Sequence, residues 1–256
     1  MAALPAGVSC AIADPTASGK FIYASDAASL GNFSVYRSTS LSGGTLLVNR
    51  TFEDVNMIQA TSDGSLFLLA VSSGVRGLYI VHSGIATLVD QAESAEIRSD
   101  GSQAVYVKLS GDATVLNVWT ASTSVKRTIV SGGFNHMPAL SRDGTQVVYS
   151  ALDLDRGDFD LYTIPTAGGT IVRLTNTAGR SEFGASFDDT GTRISYAVTN
   201  DSDAPGIYVY ASGVSTRIVN DNNVNSGTYW ASSTGRSFIP GWMLRFSRIT
   251  QLSRRP

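Results

Sequence analysis

The chain is short of the residue types that most often carry chemistry. It holds one cysteine, Cys10, in 256 residues, which excludes an internal disulfide. It holds two histidines, His82 and His136. That number rules out a three-histidine metal site, and a lone cysteine cannot complete a mixed zinc set. Lysine occurs three times, and the formal net charge is −2. Apart from Arg248, Arg254 and Arg255 near the end, no basic stripe offers a counterpart to nucleic-acid phosphates. No stretch approaches the roughly 18 apolar residues that would suggest a membrane span. The opening Met1-Ala2-Ala3-Leu4-Pro5 has neither the basic segment nor the apolar run of a secretory leader, so no signal peptide is expected. Apolar spacing of three and four, sustained over ten or more residues, is missing too, so no helix is expected.

What the chain has instead is a repeat. A polar stretch, a glycine and an alternating apolar strand recur at Gly19, Gly64, Gly101, Gly144, Gly191 and Gly235, separated by 45, 37, 43, 47 and 44 residues. A period near 40 with four short strands per unit is the pattern of a propeller blade. The clearest copy runs Ala139-Leu140-Ser141, then the turn Arg142-Asp143-Gly144, then a strand with Val147 and Tyr149 on one face. Asp-Gly between apolar runs favours a hairpin because both residues tolerate positive φ. Residues three and five after each glycine form a recurring pair: Ile22/Ala24, Phe67/Leu69, Ala104/Tyr106, Val147/Tyr149, Ile194/Tyr196 and Phe238/Pro240. Such spacing keeps a pair on one face of a strand. Third strands are expected at Val35-Tyr36, Leu78-Tyr79, Val118-Trp119, Leu161-Tyr162 and Ile207-Tyr208. The expectation is an all-β, six-bladed propeller with four antiparallel strands per blade. It forms one domain over residues 1–256, with blades near 1–54, 55–92, 93–134, 135–180, 181–224 and 225–256.

The fourth copy resembles the TolB-type propeller repeat, whose inner turn reads roughly P-x-W-S-P-D-G. Pro138, Ser141, Asp143 and Gly144 match, while Leu140 and Arg142 replace the tryptophan and the second proline. Asp160-Leu161-Tyr162, Gly168-Gly169 and Arg173-Leu174-Thr175 match the later strands. The other copies match more loosely, and the first and sixth only by spacing. The resemblance implies a six-bladed scaffold for protein or peptide binding, in a periplasmic or extracellular setting. It implies no reaction, because its motifs specify turns and packing. TolB carries an additional N-terminal domain for which these 256 residues leave no room.

Candidate site residues follow from the blade plan. Starts of inner strands should line one mouth of a central channel. Gln59, Glu96, Asn135, His136, Glu182 and Tyr229 each fall there in the plan, which points to a peptide or small polar ligand held by carboxylates, amides and one aromatic. The four glutamates, Glu53, Glu93, Glu96 and Glu182, are all expected just before inner strands. Glu96 and Glu182 also raise the alternative of a glycoside hydrolase, which needs two carboxyls roughly 5–10 Å apart. A third reading is a purely structural subunit docking through an exposed apolar patch. Asp153, Asp155 and Asp158 alternate around Gly157 like a Ca²⁺ loop, but the full calcium-binding pattern is absent. No other cofactor is expected. A protein or peptide partner and a monomeric state are.

Overall fold

The computed structural model describes residues 7–14, 19–40, 43–62, 64–199 and 204–220. These residues form β-strands and turns, with no helix among them. Strands β1 (Val8–Ala13), β2 (Phe21–Ser25), β3 (Ser34–Ser38) and β4 (Thr45–Leu46) make blade 1. Blade 2 is β5 (Asp54–Ala60), β6 (Leu66–Ser72), β7 (Val75–His82) and β8 (Ile85–Gln91). Blade 3 is β9 (Ser94–Ile97), β10 (Gln103–Ser110), β11 (Ala113–Thr120) and β12 (Val125–Ser131). Blade 4 is β13 (Asn135–Leu140), β14 (Gln146–Asp153), β15 (Asp158–Pro165) and β16 (Val172–Arg173). Blade 5 is β17 (Ser181–Phe187), β18 (Arg193–Thr199), β19 (Gly206–Ala211) and β20 (Val214–Asn220). Each blade is an antiparallel meander in chain order. The described residues thus hold five blades; the expected sixth, at 225–256 with Tyr229, lies outside them.

The repeat glycines do what their spacing predicts. Gly19, Gly64, Gly101, Gly144 and Gly191 all take positive φ, between 71° and 86°, a region costly for residues with a Cβ. From Gly64 to Gly191, each glycine N–H closes a four-residue turn onto a carbonyl three residues back: Thr61, Arg98, Ser141 and Asp188. Asp100, Asp143 and Asp188 brace their turns by accepting from the backbone N–H of Ser102, Thr145 and Thr192.

One detail departs from the sequence pattern. In blades 1 and 2 the hairpin closes on the residue just after the glycine, Asp14 N to Lys20 O and Thr61 N to Ser65 O. In blades 3 to 5 it closes one residue later, on Gln103, Gln146 and Arg193. A shift of one residue turns every side chain to the other face. Phe67 and Leu69 of blade 2 therefore pack with Ala104 and Tyr106 of blade 3 in one core, as partners across a seam. In blades 4 and 5 the equivalent spacing, Val147/Tyr149 and Ile194/Tyr196, faces the preceding blade. The recurring pair is on one face within a blade, but that face looks forward in blades 1 and 2 and backward afterwards.

Four apolar cores fill the seams between successive blades. Tyr106, Tyr149 and Tyr196 are buried in the last three of them, each worth roughly 1.5–3 kcal/mol of burial on the scale for large apolar side chains. The inner strands β1, β5, β9 and β13 are aligned side by side by contacts that skip from blade to blade. Ser9 Oγ donates to Val55 O at 3.0 Å. The Gln59 amide exchanges two hydrogen bonds with the backbone of Ile97, at 2.5 and 3.2 Å. Glu96 Oε2 accepts the Leu140 N–H at 2.9 Å. Counted from the repeat glycine, each contact joins one position to the next-numbered position in the following blade, so the inner strands share direction and register. The propeller then has two distinct ends. The glycine turns gather at one, called here the turn end. Inner-strand starts and the hairpins between second and third strands gather at the other, the mouth.

Candidate functional site

Of the six residues expected at one mouth, the five that are described do not lie together. Gln59 and Glu96 lie inside β5 and β9, toward the turn end, and both hydrogen-bond the backbone of the following blade. Glu96 is half-buried there, and desolvation pushes its carboxyl up to about 8 despite the Leu140 N–H pulling the other way. Glu96 and Glu182 therefore stand within inner strands, a correction to the expectation that all glutamates precede them. Asn135 does reach the mouth, but it is buried, and its side-chain amide donates to Gly132 O at 2.8 Å and Thr114 O at 3.3 Å. It ties blade 3 to blade 4. Tyr229 lies outside the described residues. His136 remains solvent-accessible at the mouth.

His136 is the first ring of an aromatic row. It meets Phe159 edge-on at 5.5 Å and 70°. Phe159 in turn packs against Phe183 at 4.7 Å, so the row crosses from β13 through β15 to β17. Both phenylalanines are only half-buried. Desolvation of the packed side of the imidazole lowers the pKa of His136, favouring its neutral form. The row is aimed by paired bulges. Register slips between His136 and Ala139 in β13, and between Phe183 and Ser186 in β17. Gly184 takes the positive φ that the second bulge needs, at 58°; in the first, Met137 takes it, at 47°. A methionine held there is strained, and such strain collects at sites that re-aim side chains. Sequence reasoning found His136 but missed Phe159 and Phe183. The legible signal was Gly184 in Ser181-Glu182-Phe183-Gly184, where a strand glycine marks a bulge.

Behind the row lies an ionic cluster. Asp160, fully buried, pairs with both Arg156 and Arg173. Arg156 also reaches Asp158 at 3.0 Å and Asp153 at 3.3 Å, and Arg173 reaches Asp153 at 2.9 Å. The Asp155 N–H donates to Asp153 Oδ1. Guanidinium groups thus stand among the carboxylates that the sequence offered to Ca²⁺, and among the described residues no three His, Cys, Asp or Glu side chains are grouped to hold a metal ion. Glu182 joins the cluster from β17. It is buried, and its Oε2 accepts from Thr175 Oγ1 at 3.2 Å. Burial first, then the neighbouring Asp160, pushes its carboxyl up to about 8. Glu96 and Glu182 point into different seams, near opposite ends of their strands.

Comparison with solved structures fixes the architecture. The chain superposes on TolB from Acinetobacter baumannii with a TM-score of 0.56, at 12% identity over 74% of this chain and 49% of that one. A TolB candidate from Agrobacterium tumefaciens gives 0.60, at 14% identity over 81% of this chain and 80% of that one. The fold is a TolB-like β-propeller. An oligogalacturonate lyase from Vibrio parahaemolyticus is as similar to it, with a TM-score of 0.64, 14% identity, and coverage of 81% and 64%. No family model matches the chain, and no curated protein matches it in sequence. The propeller spans about half the length of the Acinetobacter protein, at 49%.

The mouth of the TolB-like propeller exposes apolar hairpin tips, as the turn end does at Ile85, Val125 and Val214. Leu30, Val75, Leu109 and Leu154, at or beside the second-to-third-strand hairpins of blades 1 to 4, are 91%, 42%, 57% and 70% exposed. Phe134, leading into β13, is exposed beside them. Among the described residues, no helix is long and apolar enough to cross a membrane.

Proposed function

We propose that this chain is a non-enzymatic binding propeller whose ligand, a protein or peptide segment or a small polar molecule, seats at the mouth over blades 4 and 5. The carrying observation is the row His136–Phe159–Phe183, left accessible on the same face as the apolar hairpin tips. Aromatic rings combine apolar area with few rotatable bonds, and they are enriched where proteins make contacts. Loops and strand ends on a fixed scaffold are where propellers assemble sites. Gln59, Glu96 and Asn135 support the site from a distance, by holding the blades in register.

A glycoside hydrolase on the same mouth is the rival, and the enzymes among proteins of this fold keep it in view. Against it, Glu96 and Glu182 hydrogen-bond different seams, whereas hydrolysis needs two carboxyls across one pocket. A periplasmic or extracellular setting and a monomeric state complete the proposal. The test is binding of arrayed peptides and oligosaccharides to the whole chain, repeated with His136→Ala and Phe159→Ala. The proposal expects captured ligands to be lost by both variants with thermal unfolding little changed. Ligands that bind both variants as well as the parent chain would place the site elsewhere.

A further inference from the structure

The seam between blades 4 and 5 has a shortage of protons. Thr175 Oγ1 accepts the Leu161 N–H at 2.8 Å, so its own hydrogen is the one it can give. Two carboxyl oxygens lie within reach of that hydrogen, Glu182 Oε2 at 3.2 Å and Asp160 Oδ1 at 3.5 Å. Asp160 already receives Arg156 and Arg173. Three carboxylates and three guanidinium groups surround Glu182. From β15 come Asp158 and Asp160; from the hairpin before it, Asp153 and Arg156; from β16 and the segment after it, Arg173 and Arg180. Tyr196 faces it from β18, and β13 brings His136 to the same corner. Both guanidinium groups next to Asp160 are already shared among three aspartates. A second negative charge on Glu182 would be buried beside Asp160 with one hydroxyl hydrogen between them.

We propose that Glu182 is a proton-operated latch: carrying a proton it holds the seam shut beneath the aromatic row, and losing it loosens the seam and displaces Phe159 and Phe183. The mechanical link is short. Phe159 and Phe183 are chain neighbours of Asp160 and Glu182, and the Phe159 N–H donates across the seam to Ser181 Oγ at 3.3 Å. Two more amides depend on the cluster. Leu161 N–H is held by Thr175, and Gly179 N–H by Asp158 Oδ2 at 2.9 Å. The latch regulates the mouth and so rests on the mouth being the binding surface.

Hydrogen exchange on the whole chain, without ligand, tests it. In the shut state the carboxyl holds its proton up to about pH 8, and in the opened state it ionises near its ordinary value of 4.5. Opening should therefore grow about tenfold per pH unit between those limits. Protection of the Phe159, Leu161 and Gly179 amides should fall by that factor beyond the intrinsic base-catalysed rate. The turn amides of Gly101 and Gly144 should not follow. Glu182→Gln, neutral at every pH, should abolish the local slope. Amides that show no excess pH dependence, or a slope retained in Glu182→Gln, would overturn the latch. A ¹³C titration of the Glu182 carboxyl in the unmutated chain gives an independent reading, and a midpoint near the ordinary glutamate value would overturn it as well. Since exchange needs no ligand, these failures touch the latch alone, whereas ligands indifferent to Phe159→Ala defeat the binding reading.

Discussion

The two ends of the propeller are built from the same repeat and differ in the side chains that join neighbouring blades. At the turn end, blades are stitched to each other. Ser62 N–H donates to Ser99 O, Arg98 Nε donates to Arg142 O, and Arg142 pairs with Asp189 at 3.2 Å, so contacts run from blade 2 to blade 5. Their side chains are polar and satisfied by near neighbours. At the mouth, hairpin tips present leucines and a valine to solvent, an aromatic row lies half-open, and charge is sunk behind it in one seam. The turn end is constrained by backbone geometry: five glycines with positive φ allow one turn and little else. The second-to-third-strand hairpins at the mouth of blades 1 to 4 also hold one positive-φ glycine each, Gly31, Gly74, Gly111 and Gly157, but the side chains around those glycines differ from blade to blade. The difference teaches that turn geometry shared at both ends still leaves individual seams free to differ in the side chains they hold.

Four experiments would break or sharpen that contrast. The largest effect is expected at Asp160, because removing a fully buried carboxylate strands Arg156 and Arg173 without their partner. Asp160→Ala should cost about 3–5 kcal/mol in urea unfolding, as broken buried ion pairs do; a loss no larger than that of a surface pair would mean that the seam is solvated. Next is Glu96, whose Oε2 is the acceptor for the Leu140 N–H. Glu96→Ala should cost about 1–3 kcal/mol, the penalty of an unsatisfied backbone donor, while Glu96→Gln retains an acceptor and should cost less. Both Glu96 and Glu182 bind their protons more tightly in the fold than in the open chain, with folded values of about 8 against 4.5. Their contribution is thus fully present below about pH 4.5 and is lost as pH rises toward about 8. The melting temperature should fall across that window, and less steeply in Glu96→Gln.

The third effect is a gain. Met137 occupies a left-handed conformation that Gly184 fills in the next blade. Met137→Gly should stabilise the chain by up to about 1 kcal/mol, the relief of left-handed strain less the extra freedom glycine loses on folding. A loss instead would show that the methionine side chain earns its place by packing. The smallest effect belongs to the turn end. Arg142 is well exposed in its pair with Asp189, so Arg142→Ala should change stability by less than about 1 kcal/mol. A loss approaching that of Asp160→Ala would erase the distinction between a stitched end and a seam that holds charge.

Much of the blade plan was legible. The aliphatic–aromatic pairs expected on third strands fall on β3, β7, β11, β15 and β19. Local rules suffice there, because turn residues and alternation act within a dozen residues. Of the candidate site, only His136 was legible. Gln59 and Glu96 looked like ligand groups because polar side chains on inner strands suggest a channel, yet each satisfies a backbone amide of the following blade. Nothing within a single blade predicts that partner. The charge at the seam had the same weakness. Asp160-Leu161-Tyr162 and Asn117-Val118-Trp119 are equivalent in blades 4 and 3. The neutral Asn117 accepts from Thr128 at 2.7 Å, while Asp160 gathers two arginines and adds to the burial that raises the pKa of Glu182.

By itself, then, the sequence determined the repeat: positive-φ glycines, braced aspartate turns and alternating strands, all consequences of short-range sterics and hydrogen bonding. Which way each face looks was decided by tertiary structure, because the hairpins of blades 3 to 5 close one residue further past the glycine, which reverses every side chain counted from it. So was the site. Phe159 and Phe183 come from different blades, and only packing of β15 on β17 brings their rings within 4.7 Å. Burial at that seam, a property of neighbours distant in sequence, is what pushes the Glu182 carboxyl up to about 8.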